Sequence, residues 1–157
     1  IKLANKGPKG ELEIHGRQLL RDTQAVLQNA KSGFPNLRIV YLSSRIYAGH
    51  ASNALNPEPF AYESAFVVRW LIQDQMKGHA GLNFTVEKGV VKAPLLLWGP
   101  YLWADGTTPR KEDKLSYYRE DFAGDGTHPS QSGKDKVAGL LLDFLKNDPL
   151  AKPWFVR

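Results

Sequence analysis

Apolar residues recur every three to four positions in three segments of the chain, which predicts three amphipathic helices. The first runs from Glu11 to about residue 31, where a glycine- and proline-containing turn ends it. The second spans about 59–77, and the third follows Ser130 or Ser132, either of which can cap it. The residues predicted to face the core are Leu12, Leu19, Leu20, Val26, Leu27 and Ala30, then Phe60, Phe66, Val67, Trp70 and Leu71, and finally Val137, Leu140, Leu141, Phe144 and Leu145.

Two short apolar runs lie between these helices and predict buried strands of a parallel sheet. They are 37–42 (LRIVYL) and 94–98 (PLLLW), and the first is rich in residues that favour strands. Residues 1–4 (IKLA) have a similar apolar character and are expected to be the end of another buried strand. Residues 79–92 fit either a small hairpin or an irregular excursion.

Strands that alternate with helices are typical of the α/β class, in which sites form in loops beyond the carboxyl ends of strands. The loops that follow predicted strands here are 5–10, 43–59 and 99–122. The last loop is long for a compact domain, and loops of this length are usually functional or disordered. A glycine- and proline-marked turn, DGTHPS at 125–130, separates it from the third helix.

The composition is that of an ordinary globular domain, and it argues against several kinds of site. The 157 residues suffice for a single core, and no apolar run reaches the roughly 18 residues of a membrane span. Lys and Arg give a net charge of +5 but are scattered among Asp and Glu, so no nucleic-acid interface is indicated. Without cysteine, disulfides, thiolate metal sites and a cysteine nucleophile are excluded.

The DGTHPS turn contains the side chains of a general base and its orienting partner. Asp125 and His128 stand three residues apart, immediately before the third helix. A histidine whose tautomer is fixed by a carboxylate is the usual base for activating a hydroxyl nucleophile. The alternative is structural, because Asp and Gly are common in turns and an Asp side chain can cap the backbone that follows it.

The wider string D-G-T-H-P-S-x-x-G-x-x-x-x-A resembles the last sequence block of the SGNH (GDSL-type) hydrolases. The resemblance implies a three-layer α/β/α flavodoxin-like parallel sheet. It also implies that Asp125 and His128 complete a Ser-His-Asp triad, and that Asn5 donates a hydrogen bond in the oxyanion hole. Asn5 lacks the flanking Gly and Asp usual in that family, and its alternative is a plain loop residue.

The family's nucleophile block is missing from this sequence. No Gly-Asp-Ser and no Gly-x-Ser-x-Gly motif occurs. Residues 1–157 are therefore expected to be the C-terminal part of a single SGNH-like domain, with the nucleophilic serine upstream. Ser43 and Ser44 follow a predicted strand, but two small residues ending a strand are the simpler interpretation, and Ser64 is expected to pack or to face a loop. Alone, this part is expected to be inactive and poorly stable.

Several other polar and aromatic residues are candidates for a substrate pocket. Those proposed for substrate binding are Tyr47, Glu63, Trp98 and Tyr101, with Arg45 and Glu58 in the same loop region. The ordinary alternative for the charged members is a solvated loop, and for the aromatic ones a place in the core or at its rim. His15, on the first helix, is expected to face solvent. No two histidines have metal-ligand spacing, so a metal site is not expected. The hydrolase mechanism that the resemblance implies requires no cofactor.

The sequence thus predicts a serine-dependent ester hydrolase acting on a small-molecule or carbohydrate ester, such as an O-acetyl ester. One alternative is a non-catalytic carbohydrate- or protein-binding module on a degenerate SGNH scaffold, with the exposed aromatics around 98–103 as its surface. Another is a metal-dependent hydrolase that uses Asp125 and His128 as ligands. The expected partners are the ester substrate and the upstream part of the same domain. The compartment stays open, with a secreted or periplasmic protein favoured.

Overall fold

The computed structural model of the protein describes residues 12–54 and 57–156. Within them the chain is mixed α/β, with four helices and a small two-stranded parallel sheet. Single turns of 3₁₀-helix occur at Ala80–Leu82, Val86–Lys88 and Arg119–Asp121. The helices and strands are α1 (Leu12–Gly33), β1 (Ile39–Leu42), α2 (Phe60–Met76), β2 (Leu95–Trp98), α3 (Gln131–Asn147) and α4 (Lys152–Phe155).

The two strands pair in parallel, as the alternation of elements predicts. Ile39 stands opposite Leu95, and Leu42 stands opposite Trp98. The connection between them contains α2, which packs against β2, as expected for a parallel crossover. Burial along the strands is less complete than predicted, because Ile39 and Trp98 are each 37% exposed. The described sheet has two strands, so each strand has a neighbouring strand on one side alone.

The side chain of Gln75, in the last turn of α2, closes the outer edge of β2. Its Nε2 donates to the carbonyls of Leu82 and Pro94 at 2.9 and 3.0 Å. Its Oε1 accepts from the amide of Leu96 at 2.8 Å. The backbone groups of 94 and 96 point away from β1, because β2 reaches β1 through the amides of residues 95 and 99. One buried amide side chain therefore satisfies two of the backbone groups that another strand would otherwise pair.

The main core lies between α1, α2 and the sheet. Its fully buried apolar residues include Leu27, Leu42, Val67, Val68 and Leu71. A second, smaller cluster lies under the long loop after β2, around Ala104, Tyr117 and Phe122. The long loop therefore packs on its own small apolar core, which keeps its side chains in fixed positions.

Two predicted positions on α1 are wrong. His15 is only 7% exposed, and its ring packs edge-on against Phe60 with centroids 5.1 Å apart. It stands three residues after Leu12 and four before Leu19, so helical spacing puts it on the apolar face. Val26 is 50% exposed because the buried stripe of α1 passes instead through Thr23 and Leu27.

Residues 79–92, for which the pattern allowed a hairpin or an irregular excursion, are irregular. They form two 3₁₀ turns, and Asn83 organises them. The Asn83 side chain donates to the carbonyls of Gly89 and Val90, and the backbone carbonyl of Asn83 accepts from the amides of Lys92 and Ala93. The hydrogen bonds of Asn83 take the place of the inter-strand backbone hydrogen bonds that a hairpin would need.

The third helix keeps its predicted place but not its predicted burial. Gly133 is its one buried residue, whereas Leu141 and Leu142 are 38% and 47% exposed. The helix contacts the 3₁₀ turn at Arg119–Asp121 and α4, and Phe144 packs edge-on against Tyr41 of β1. The apolar face of α3 is thus only half covered by the described residues. None of the helices described at 12–54 and 57–156 combines the length and the apolar character of a membrane-spanning segment.

Candidate functional site

The turn at 123–129 is held in shape by backbone hydrogen bonds. The amide of Ala123 donates to the carbonyl of His128 at 2.7 Å, and the amide of Gly126 donates to the carbonyl of Ala123 at 2.9 Å. Gly126 has a φ of +66°, and a Cβ there would lie 1.8 Å from the carbonyl oxygen of His50. Only glycine fits this point, because both the left-handed backbone and the close approach exclude a side chain.

Asp125 and His128 are in direct contact across this turn. Oδ2 of Asp125 lies 2.5 Å from Nδ1 of His128, which is the contact that a triad would need. Oδ1 of Asp125 accepts from the amides of Thr127 and His128, both at 3.0 Å. The carboxylate is therefore fixed by two backbone donors on one oxygen, which leaves the other oxygen for the imidazole.

These hydrogen bonds also set the charge of the carboxyl group. The amides of His128 and Thr127, followed by the imidazole, lower the pKa of Asp125 far below its usual value. An ionised Asp125 favours a proton on Nδ1 of His128, which leaves the lone pair on Nε2. No hydrogen bond from another described residue reaches Nε2, and the His128 side chain is 60% exposed. The ring of His128 is therefore open to solvent in the described part of the chain.

The lowered pKa predicts a loss of stability in acid. The unfolded Asp has a pKa near 3.9, so its stabilising contribution is fully present above that pH and is lost as the pH falls further. We expect the free energy of unfolding in urea to fall as the pH is lowered from about 4 to about 2. The Asp125→Asn variant should show a shallower fall, because its amide does not titrate. Equal slopes for the two proteins would contradict the proposed ionic contact.

A buried carboxylate, Asp121, anchors the turn to α3. Its side chain is 1% exposed and accepts from the amide of Tyr118, from the Ser132 hydroxyl and from the ammonium group of Lys136. Its backbone carbonyl accepts from the amide of Ser130, the N-cap of α3. Burial raises the pKa of Asp121, but the hydrogen bonds from Lys136, Ser132 and Tyr118 outweigh it and lower the pKa overall. The two sides of the turn are thereby held together.

The turn also rests on the loop after β1. The amide and the hydroxyl of Ser52 both donate to the carbonyl of Asp125, at 3.0 and 3.1 Å. The hydroxyl of Thr127, which is buried, lies 3.4 Å from the side-chain oxygen of Asn53. Two loops that are far apart in sequence therefore meet behind the Asp-His pair, as expected at the carboxyl ends of parallel strands.

Two of the serines weighed as nucleophiles, Ser44 and Ser64, occupy structural positions. Ser44 is 4% exposed, and its Oγ accepts from the amides of Leu102 and Trp103. Ser64 is a packing residue, as one of its two interpretations has it, and its Oγ donates to the carbonyl of Ala61 while accepting from the amide of Arg45. Asn5, the candidate oxyanion donor, lies outside the described residues.

The candidate substrate residues lie in three places. Tyr47 belongs to the cluster under the long loop, with its ring edge-on to those of His50 and Trp103. Glu63 is half-buried, and its Oε2 has no hydrogen-bond partner among the described residues. Burial raises its pKa, while the nearby His15 lowers it. The roles of these residues in substrate binding stay predictions.

Trp98 and Tyr101 line a shallow cleft of about 220 Å³. Its other lining residues are Tyr62, Ala65, Phe66 and Arg69, all from α2. This cleft shares no lining residue with the cavity of about 300 Å³ that includes Pro129, the neighbour of His128. The predicted pocket residues therefore do not form one pocket within the described part of the chain.

Two charged residues of the loop after β1 are not in solvent, contrary to the ordinary expectation for loop charges. Arg45 is 5% exposed. Glu58 accepts from the amides of Ala48 and Tyr62 and from the indole of Trp103, so it ties the loop to α2 and to the long loop. The local sequence predicts neither the burial of Arg45 nor the contacts of Glu58, because both depend on segments that meet only in the folded chain.

Comparisons with known proteins identify no relative of this chain. No family model, curated protein or solved structure matches it. Among residues 12–54 and 57–156, no group of three or more His, Cys, Asp or Glu side chains is placed to hold a metal ion. Within this described part, a metal at Asp125 and His128 would lack further protein ligands of these types.

Proposed function

We propose that the chain is part of a serine-dependent ester hydrolase of the SGNH type, with His128 as general base and Asp125 as the carboxylate that orients it. The observation that carries the proposal is the 2.5 Å contact between Asp125 Oδ2 and His128 Nδ1. The parallel pairing of β1 and β2, with α2 between them in sequence, is compatible with one half of a three-layer α/β/α flavodoxin-like domain. The upstream strands of such a sheet would lie beside β1.

In the proposed reaction, Nε2 of His128 removes the proton from a serine hydroxyl as the serine oxygen attacks the ester carbonyl. The imidazolium then returns this proton to the departing alkoxide, which leaves an acyl-enzyme. Water repeats the two steps, so the acid is released and the serine is restored. Asp125 stabilises the imidazolium in both halves and keeps the proton of Nδ1 in place. The serine lies N-terminal to the described residues in this proposal, with Asn5 as a donor to the oxyanion.

An active-site label tests the assignment of the nucleophile. We expect a fluorophosphonate probe to modify one serine of the full-length protein upstream of residue 12. The reason is that His128, acting as general base, would make that serine more nucleophilic. Peptide mapping by mass spectrometry locates the label. Modification of Ser43 or Ser44, or no modification of a protein that still hydrolyses an aryl acetate, would contradict the proposed nucleophile.

The aromatic cleft favours a second candidate function, which is carbohydrate binding without hydrolysis. Tyr62 and Trp98 are 40% and 37% exposed, and Arg69 lies beside them. Flat aromatic faces next to a polar group suit the apolar face of a sugar ring. Hydrolysis of an aryl acetate by the full-length protein decides for the enzyme, whereas oligosaccharide binding that Trp98→Ala removes, without any hydrolysis, decides for the binding module.

A further inference from the structure

Arg45 is a buried cation whose hydrogen-bonding groups are not used by the described residues. The whole residue is 5% exposed, and its Nε and Nη1 atoms are buried without a hydrogen-bond partner in the described part of the chain. A guanidinium has five donors and stays charged in proteins. Burying such a group without an acceptor is costly, so buried charges are normally paired. The position therefore calls for an acceptor.

Glu58, the acidic residue whose charge acts on Arg45, does not supply this acceptor. The charge of Glu58 opposes the effect of burial, which lowers the pKa of Arg45. However, Oε1 of Glu58 is engaged by the amide of Ala48 and the indole of Trp103, and Oε2 is engaged by the amide of Tyr62. Glu58 thus balances part of the charge from a distance while its oxygens bond elsewhere. The N–H groups of Arg45 are left for a molecule outside this network.

Arg45 also lines the cavity beside the Asp-His turn. The cavity has a volume of about 300 Å³, and Pro129, the residue after His128, forms part of its wall. The hydroxyl of Ser44 in the wall is already occupied by two backbone amides, whereas no hydrogen bond within the described residues uses the hydroxyl of Ser43. The other lining residues are apolar and consist of Ile46, Leu102, Val137 and Leu141.

We propose that this cavity binds a small, partly apolar ligand through a carboxylate held by the guanidinium of Arg45. The match is one of charge and shape, since Arg45 is the one cationic residue in the described wall and a carboxylate carries one negative charge. A hydrogen bond from a guanidinium to a carboxylate is charge-assisted and is stronger than one between neutral groups. The apolar wall accommodates the carbon chain, and a phosphate dianion would remain half uncompensated.

The position of the cavity gives the carboxylate a place in the proposed hydrolysis, and this step rests on the proposed function. An ester whose acyl or alcohol part ends in a free carboxylate would be anchored at Arg45 with its ester group toward the turn at 125–129. The preferred substrate class is then an acidic ester, such as a monoester of a dicarboxylic acid. A neutral ester of the same size would lack the anchor.

Binding can be tested without any hydrolysis. The probe is sodium butyrate, titrated into the full-length protein at constant ionic strength and followed by amide NMR, with butyramide as the neutral probe of the same shape. We expect butyrate to bind and butyramide not to bind. Arg45→Met should weaken butyrate binding at least about tenfold, as expected for lost hydrogen bonds to a charged group. The matched control is Arg38→Met, which removes an exposed arginine at the start of β1 and should leave binding unchanged.

The thermal stability of the same variants tests whether Arg45 is paired within the protein. If the acceptor is a ligand, Arg45→Met in a chloride buffer should melt at the same temperature as the parent or higher, because an unpaired buried charge is replaced by an apolar chain. A clear fall in melting temperature would mean that the full-length protein itself pairs the guanidinium, and it would overturn the proposal. Equal binding of butyrate and butyramide, or binding of inorganic phosphate alone, would also overturn it.

Turnover separates this inference from the proposed function. We expect Arg45→Met to lower kcat/KM for an aryl monoester of succinate about 10- to 100-fold more than it lowers kcat/KM for aryl acetate. An equal loss for both esters would refute the carboxylate anchor but not the hydrolase. An absence of hydrolysis with intact butyrate binding would refute the hydrolase but not the carboxylate site.

Discussion

Replacing His128 with alanine in the full-length protein should abolish ester hydrolysis while leaving the fold intact. A positioned general base contributes roughly 10²–10⁴-fold to the rate of such a reaction. The His128 side chain is 60% exposed and is not part of either apolar core, so its loss should barely change the unfolding transition. The measurement is kcat with an aryl acetate, beside a thermal melt of the same sample. The matched control is His79→Ala, which removes an exposed histidine from the turn after α2.

Asp125→Asn sharpens this prediction because the contacts of the carboxylate fix the orientation of the new amide. Oδ1 accepts from two backbone amides, so the amide oxygen of Asn should take that position and its NH₂ group should face Nδ1 of His128. The imidazole would then carry its proton on Nε2, where a base needs a lone pair. We expect a loss of roughly 10²–10⁴-fold in kcat, and ¹⁵N NMR of the imidazole should show the exchanged tautomer. Unchanged turnover in either variant would refute the base assignment.

Replacing Asp121 with alanine should destabilise the protein by about 3 kcal/mol. The carboxylate is 1% exposed, and its removal leaves the amide of Tyr118 and the hydroxyl of Ser132 without their acceptor and the ammonium of Lys136 with the carbonyl of Ser116 alone. Breaking a buried ion pair from one side typically costs about 3–5 kcal/mol. The lower end applies because the side chain of Lys136 is 28% exposed and can still reach water. Urea unfolding of variant and parent measures the difference.

The control for Asp121 is Asp135→Ala, on the exposed side of α3. Its carboxylate accepts from the side chain of Gln131 and from nothing buried, so the change should stay within about 0.5 kcal/mol. Asp121→Ala should also lower turnover, because Asp121 connects the turn at 123–129 to the start of α3. Equal unfolding midpoints for the two variants would show that the ion pair does not hold this turn.

The periodic parts of the fold could be predicted from the sequence because their signal is local. Three helices, both strands and their parallel pairing follow from apolar spacing and from the alternation of elements. The boundaries moved by one or two residues, with β1 beginning at Ile39 instead of residue 37. The same rule, applied to every residue type, would also have found His15, whose spacing from Leu12 and Leu19 places it on the buried face.

The parts that could not be predicted depend on contacts between loops. The spacing of Asp125 and His128 suggests their contact, but the carboxylate of Asp121 is bound by residues from its own 3₁₀ turn and from α3. The burial of Arg45 likewise follows from the way the loop after β1 meets α2 and the long loop after β2. Apart from the contact of Asp121 with the amide of Tyr118, these contacts join different elements of the chain, so no local pattern encodes them. For the same reason, Trp98 and Tyr101 could be recognised as aromatic but could not be assigned to a particular cleft.

The side chain of Gln75 makes the two edges of the sheet different. Because it occupies the outward-pointing carbonyl of Pro94 and amide of Leu96, part of the outer edge of β2 is closed, whereas the structure describes no neighbouring strand on the free side of β1. Open strand edges are the usual starting points of sheet-to-sheet association. The upstream strands of the proposed domain would lie on the edge of β1 and cover it, so the complete sheet is not expected to associate with a second copy by this route.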